Sequence, residues 1–230
     1  MYNYRKYNMK FIDLLRNSEL FCGLKENELS SIENLTIKKT VSKNMLLISE
    51  GDTSDSMYFI VEGSVNVMVS NKEGEEFILS TLIKGDIFGE LSLLDGNPRS
   101  ANVVTLEKCF FAILRKTDFQ ELMKNNPTIV TNVITFLCNR IRLVNSLAQS
   151  MALMDVYGRL VRLLYDLASP EKDGKRTIEH PLTNQSIAAR IGCRRESISR
   201  IFSALNKGGY LTTDKDKKKI IINRKLPSAW

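Results

Sequence analysis

The sequence predicts an α+β chain in three parts: an N-terminal jelly-roll-like β-roll, one long helix suited to dimerisation, and a C-terminal winged helix-turn-helix. Three observations carry that prediction. Residues 39–116 break into short β-rich runs separated by glycine turns, residues 128–154 run on without glycine or proline, and the excess positive charge sits in the last third. The boundaries read as 1–127, 128–154 and 155–230.

The first elements are helical. Phe11, Leu14 and Leu15, then Leu24, Leu29 and Ile32, recur on one face. From Lys39 to Lys116 the pattern becomes that of strands, as in MYFIVEGSVNVMVS (57–70), FILSTLI (77–83) and CFFAILR (109–115). Turn signals separate them at Gly51-Asp52, Gly63, Lys72-Glu73-Gly74, Gly85-Asp86 and Asp95-Gly96-Asn97-Pro98. Many short strands at such spacing indicate a closed barrel or a jelly-roll.

Asn126-Pro127 is a helix start signal, an N-cap followed by proline at the first helical position. In the helix beyond it, Val130, Val133, Leu137, Val144, Leu147, Met151 and Met154 fall on alternating three- and four-residue steps, with Arg140 as the one polar interruption. Such a seam predicts a two-stranded coiled coil and hence a homodimer. The competing reading is a long amphipathic helix packed on its own barrel. N-terminal helices already cover that barrel, which favours the dimer.

Composition excludes several classes. No apolar run approaches the roughly 18 residues of a membrane span, and the N-terminal MYNYRKYNMK has no apolar core, so a soluble, cytoplasmic protein is expected. Cys22, Cys109, Cys138 and Cys193 are scattered without CxxC spacing, which suggests neither disulfides nor a metal site. The single histidine, His180, argues against a histidine metal centre or a haem and reads as a loop residue. No nucleophile or carboxylate pair has catalytic spacing, so no enzyme is expected. The net charge is +7, distributed unevenly: from Asp155 onward there are 16 Lys+Arg against 8 Asp+Glu, while the preceding residues hold 17 against 18. A near-neutral module is followed by one that faces nucleic acid.

The segment FGELSLLDGNPRSANVV (88–104) lies between two strands. Gly89 permits a sharp turn, and Glu90-Leu91-Ser92-Leu93-Leu94 can form one helical turn with outward N–H groups, a ready anion site. The second turn, Asp95-Gly96-Asn97-Pro98, returns Arg99 and Ser100 towards the same place. A guanidinium with a hydroxyl suits a singly charged phosphate. Glu90 beside a phosphate needs a donor of its own, and a ribose hydroxyl would fill that role. An ordinary β-turn with an exposed arginine is the plain alternative.

The segment TNQSIAARIGCRRESISRIFSALNKGGYL (183–211) reads as two helices joined by a tight turn. Thr183 caps the first, Ala188 permits close backbone approach, Gly192 supplies the positive φ of the turn, and Ile187, Ile191, Ile198 and Ile201 form a small core. The second helix presents Arg195, Glu196, Ser197, Ser199 and Arg200 to solvent near its N-terminus, the part that enters a major groove. Arg195 and Arg200 can bond guanine O6 and N7, and Glu196 can accept from a cytosine amino group. The hairpin 210–225 reads as a wing whose Lys215, Lys217, Lys218 and Lys219 either touch phosphates or form a soluble turn with an electrostatic role, supplying affinity and not sequence choice.

The ordered combination F-G-E-L-S-L-L-x-x-x-P-R-S-A resembles the phosphate-binding cassette of cyclic-nucleotide-binding domains. The likeness extends over nearly the whole chain. SMYFIVEGSVNVMV, EGEEFILSTLIKGDIFGELSLL, MDVYGRLVRLLYDLA and IGCRRESISRIF, in that order, resemble the cyclic-AMP receptor protein/fumarate-nitrate regulator family, and its cyclic-AMP receptor branch most closely. The resemblance implies that Gly89 and Glu90 bind the ribose hydroxyl. It implies that Leu91, Ser92 (through its backbone), Arg99, Ser100 and Ala101 hold the cyclic phosphate. The family's base-reading pair falls on Val144, which has no polar group, and Asn145, which offers a donor and an acceptor. Cyclic AMP is the first choice of allosteric effector and cyclic GMP the second. The family's iron–sulfur and haem sensors fit poorly, and no metal is implied.

The resemblance further implies double-stranded DNA as partner, read by Arg195, Glu196 and Arg200 at an inverted repeat of TGTGA-like half-sites. Thr183, Asn184, Arg194, Ser197, Lys217 and Lys218 would contact the backbone. Arg194 stands where the family usually has a capping serine. RNA polymerase is an implied partner through the loop at 169–182, which is shorter here than in the family's best-known members. Two alternatives stay open: a ligand-independent regulator of the same family, and a nucleotide sensor acting through a protein partner.

Overall fold

The computed structural model describes residues 5–172, 174–179, 182–214 and 219–227, without the side chains of residues 5–10 and 214. Two helices, α1 (Arg5–Asn17) and α2 (Glu26–Leu35), lead into strands β1 (Ile37–Val41), β2 (Leu46–Ile48), β3 (Ser56–Glu62), β4 (Ser64–Ser70), β5 (Glu76–Ile83) and β6 (Ile87–Phe88). A short helix α3 (Leu91–Asp95) precedes β7 (Asn102–Thr105) and β8 (Cys109–Arg115). Helices α4 (Lys116–Asn125), α5 (Pro127–Leu153) and α6 (Val156–Leu167) follow. The remainder is β9 (Arg176–Ile178), α7 (Asn184–Ile191), α8 (Arg195–Lys207), β10 (Leu211–Asp214) and β11 (Lys219–Ile222). The chain packs as two compact units, Met1–Val69 with Leu79–Leu143, and Ser70–Ile78 with Val144–Trp230.

The first unit holds two four-stranded sheets, ordered β1-β8-β3-β6 and β2-β7-β4-β5. Strand alternation decides what each face meets. On β3, Met57, Phe59 and Val61 pack on the helices with Phe11, Leu15, Phe21 and Phe119, while Ile60 turns to the other sheet. On β8, Ala112 and Leu114 face the helices, and Cys109 and Phe111 face Ile48, Val65 and Val103. These two strands are covered on both sides, which explains their near-continuous apolar sequences.

The long helix α5 has two apolar faces where the sequence suggested a single seam. Ile129, Val133 and Phe136 pack into the core of their own β-roll, and Val133 is only 6% exposed. Val130, Ile134 and Ile141 stay exposed, followed by Val144 three residues on. The expected seam therefore needs correction: Val133 belongs to the barrel face, and the uncovered apolar ridge runs through Ile134 and Ile141. Arg140 interrupts the sequence pattern because it too faces the β-roll, where its Nη2 donates to the Ile87 carbonyl at 3.2 Å.

In the second unit α6, α7, α8 and a three-stranded sheet, β10-β11-β9, enclose Leu160, Leu164, Ile187, Ile198, Phe202, Leu205 and Ile220. Asp155 caps α6 by accepting from the Gly158 N–H at 2.7 Å. Strand β9 was not legible in the sequence. It is three residues long and owes its conformation to pairing with β11.

Candidate functional site

Gly89 leaves β6 at φ +79°, the left-handed region, and turns the chain into α3. A Cβ there would lie 2.7 Å from Arg99 Nη1 and 3.3 Å from the Ser56 carbonyl oxygen. The guanidinium uses that space. Arg99 is 4% exposed; its Nη1 donates to the Gly89 carbonyl at 2.6 Å, and its Nη2 donates to the Ser56 carbonyl at 2.5 Å and to Ser54 Oγ at 2.6 Å. Its Nε is buried without a hydrogen-bond partner among the described residues. Burial lowers the Arg99 pKa, opposed by the nearby Tyr58, Glu90 and Asp55.

Glu90 is 6% exposed, and burial raises its carboxyl pKa above the ordinary value. Its own backbone N–H and the charges of Arg140 and Arg99 oppose that rise. Among the described residues no ion pair joins Glu90 to Arg99. Two opposite charges are thus buried in one loop, compensating each other only through space and not as a direct pair. A buried charge without a partner is costly, so the arrangement suits a ligand that carries an anion for Arg99 and a donor for Glu90.

Of the other expected cassette residues, Ser92 and Ala101 are buried, while Leu91 and Ser100 are exposed on the same loop. Val144 and Asn145 are exposed on α5 and belong to the second unit. Arg140 and Ser54 were missed. The break in the helical seam was a usable signal for Arg140, whose guanidinium also lies 5.1 Å from the Phe136 ring centroid. Nothing in the sequence marked Ser54. An open cavity of about 420 Å³ is lined by Thr53, Ser54, Asp55, Ser92, Gly96, Asn97 and Lys116.

The second unit carries the expected helix pair. Thr183 Oγ1 accepts from the Ser186 N–H at 3.0 Å and caps α7; Gly192 ends it at φ +64°. Arg194 occupies the N-cap of α8 without a side-chain capping bond. Arg194, Arg195, Glu196 and Arg200 are exposed, and Ser197 is half-buried. Asn184 Nδ2 donates to Ser199 Oγ at 2.9 Å, tying the two helices together. Arg194 is 82% exposed and lies 3.9 Å from the Glu75 carboxylate. In the wing, Lys219 Nζ is paired with the part-exposed Glu179 carboxylate at 2.5 Å. Lys215, Lys217 and Lys218, like His180, lie outside the described residues.

Residues 38–126 match the family model of the cyclic nucleotide-binding domain, and residues 158–225 match that of the Crp-like helix-turn-helix domain. The chain is 34% identical over 176 residues to the cAMP-activated global transcriptional regulator CRP of Salmonella typhimurium, spanning 74% of this chain and 81% of that protein. The chain belongs to the Crp/Fnr family of transcriptional regulators. It is a DNA-binding regulator and not an enzyme. Another relative of this Crp/Fnr protein is the cAMP-activated regulator Vfr of Pseudomonas aeruginosa, 30% identical over 174 residues, which are 72% of this chain and 80% of that one. Its fold matches the c-di-GMP responsive regulator CLP of Xanthomonas campestris, with a TM-score of 0.77 at 20% identity over 87% of this chain and all of that one. The catabolite activator protein of Thermus thermophilus matches with a TM-score of 0.53 at 25% identity, over 89% and 93% of the two chains. The first family model contains the whole Gly89–Ala101 loop, and the second contains Thr183–Arg200 and the wing. Among the described residues of this Crp/Fnr regulator, no helix is long and apolar enough to cross a membrane.

Proposed function

We propose that this regulator is a cytoplasmic homodimer that binds DNA under the control of a cyclic nucleotide, cyclic AMP in the first place and cyclic GMP in the second. The observation that carries the reading is Arg99: a buried guanidinium whose hydrogen-bond acceptors among the described residues are neutral oxygens, with no direct ion pair and with its Nε unpartnered. A cyclic phosphate supplies the missing charge. Glu90 accepts from a ribose hydroxyl, Ser92, Ser100 and Ala101 line the phosphate, and Asn145 meets the base. Two relatives carry names that call them cAMP-activated, which favours cyclic AMP.

In this reading residues 1–127 sense, 128–154 dimerise and 155–230 bind DNA. The exposed ridge of α5, with Ile134 and Ile141, is the surface a second copy covers. Arg195, Glu196 and Arg200 read an inverted repeat of TGTGA-like half-sites, and Thr183, Asn184, Arg194 and Ser197 hold phosphates. RNA polymerase is the protein partner that the family resemblance implies.

Calorimetry of the purified protein against cyclic AMP, cyclic GMP and cyclic di-GMP tests the effector. Micromolar binding of cyclic AMP, weaker binding of cyclic GMP and none of cyclic di-GMP is expected. Binding of cyclic di-GMP alone would remove the assignment.

A further inference from the structure

We infer that Ser54 is the positioning residue of the anion clamp: its hydroxyl fixes the Arg99 guanidinium without neutralising it, which keeps the positive charge for the ligand. This rests on the nucleotide reading above. Of the three hydrogen-bond acceptors of the guanidinium among the described residues, the Gly89 and Ser56 carbonyls belong to the backbone, so Ser54 Oγ is the acceptor that the choice of side chain controls. The hydroxyl stands 2.6 Å from Nη2 and 3.4 Å from Ser56 Oγ.

The loop that carries it is fixed on the Arg99 backbone from both sides. Gly51 N–H donates to the Arg99 carbonyl, and Arg99 N–H donates to the Asp52 carbonyl, both at 2.9 Å. Ser54 is therefore in place before any ligand arrives. A carboxylate at this position would form a charge-assisted pair and consume the cation. Alanine would leave a second guanidinium N–H unpartnered beside the buried Nε. A hydroxyl does neither. Ser54 is half-buried and lines the open 420 Å³ cavity with Ser92 and Lys116, so substitutions there meet solvent rather than packed core.

The test is calorimetry of the full chain with cyclic AMP and cyclic GMP as probes, alongside thermal unfolding. Ser54→Ala should weaken both nucleotides about tenfold with their ratio unchanged, because the phosphate is common to both. Ser54→Asp still accepts the hydrogen bond but neutralises Arg99, and should weaken binding at least as much. Ser54→Thr keeps the hydroxyl and should stay within about threefold of wild type. A Ser54→Asp protein that binds like wild type overturns the inference, since a merely structural acceptor would be satisfied by aspartate. Equal binding by Ser54→Ala and wild type overturns it too. If Ser54→Ala does not fold, the Asp and Thr variants decide between the two outcomes. A wild type that binds neither probe removes the nucleotide reading itself, and the inference with it.

Discussion

Arg99 fills the space that a side chain at Gly89 would need: a Cβ at position 89 would sit 2.7 Å from Arg99 Nη1. Ten residues apart in sequence, the two are one structural device. The glycine turns the chain at φ +79°, and the vacancy beside it lets the guanidinium reach the Gly89 carbonyl. Gly89→Ala should therefore strain the backbone and displace the clamp together. A loss of about 1–3 kcal/mol in stability and of most nucleotide affinity is expected, read by thermal unfolding and calorimetry. An alanine variant of unchanged stability and affinity would show that the turn has room to relax.

Glu90 should act against stability at neutral pH. Burial raises its pKa in the folded chain, so the folded protein takes up a proton at a higher pH than the unfolded one. Stability from this group therefore rises as pH falls from the raised folded value towards the ordinary carboxylate value, and its penalty is fully present above that window. Glu90→Gln should unfold at a higher temperature than wild type at neutral pH and lose that pH dependence. It should also bind nucleotide about tenfold less well, because an amide is a weaker acceptor than a carboxylate. Parallel pH–melting curves for the two proteins check the sign.

The two faces of α5 should separate genetically. Ile141→Glu places a charge on the exposed ridge, where Ile141 is 59% exposed, and should give a folded monomer by light scattering. Val133→Ala opens a hole in the barrel core and should cost about 1–3 kcal/mol while leaving the dimer intact. The reverse pattern would restore Val133 to the seam.

That separation also marks how far the sequence could be read. Strand runs, turns, the helix pair and the Gly89–Arg99 loop were legible because period-two alternation, glycine and short-range order carry them. Periodicity reports that α5 is apolar but not which partner each stripe meets, so Val133 and Ile134 were indistinguishable in kind. Ser54 meets Arg99 across 45 residues of chain, and a serine in a loop carries no pattern of its own. Arg140 left only a gap in a heptad. The pairing of Lys219 with Glu179 was not legible because Glu179 follows strand β9, which sequence pattern did not reveal.

Arg194 should trade stability for affinity. It sits at the N-cap of α8 without a capping bond, and its pairing with Glu75 is long and solvent-exposed, worth little. Arg194→Ser should supply the cap and stabilise the chain by about 1 kcal/mol. It should also remove one phosphate contact, weakening all DNA sequences alike and reducing the salt slope by about 1. Binding isotherms at several salt concentrations, on specific and random duplexes, measure both.

Nucleotide-dependent DNA binding is tested most directly by selecting duplexes from a random library with the wild-type protein, with and without saturating cyclic AMP, and with Arg99→Leu in its presence. Enrichment of an inverted TGTGA-like repeat, half-sites about one helical turn apart, is expected from wild type with cyclic AMP and from neither other condition. The same sequence enriched without nucleotide, or by Arg99→Leu, would contradict control through the Arg99 clamp.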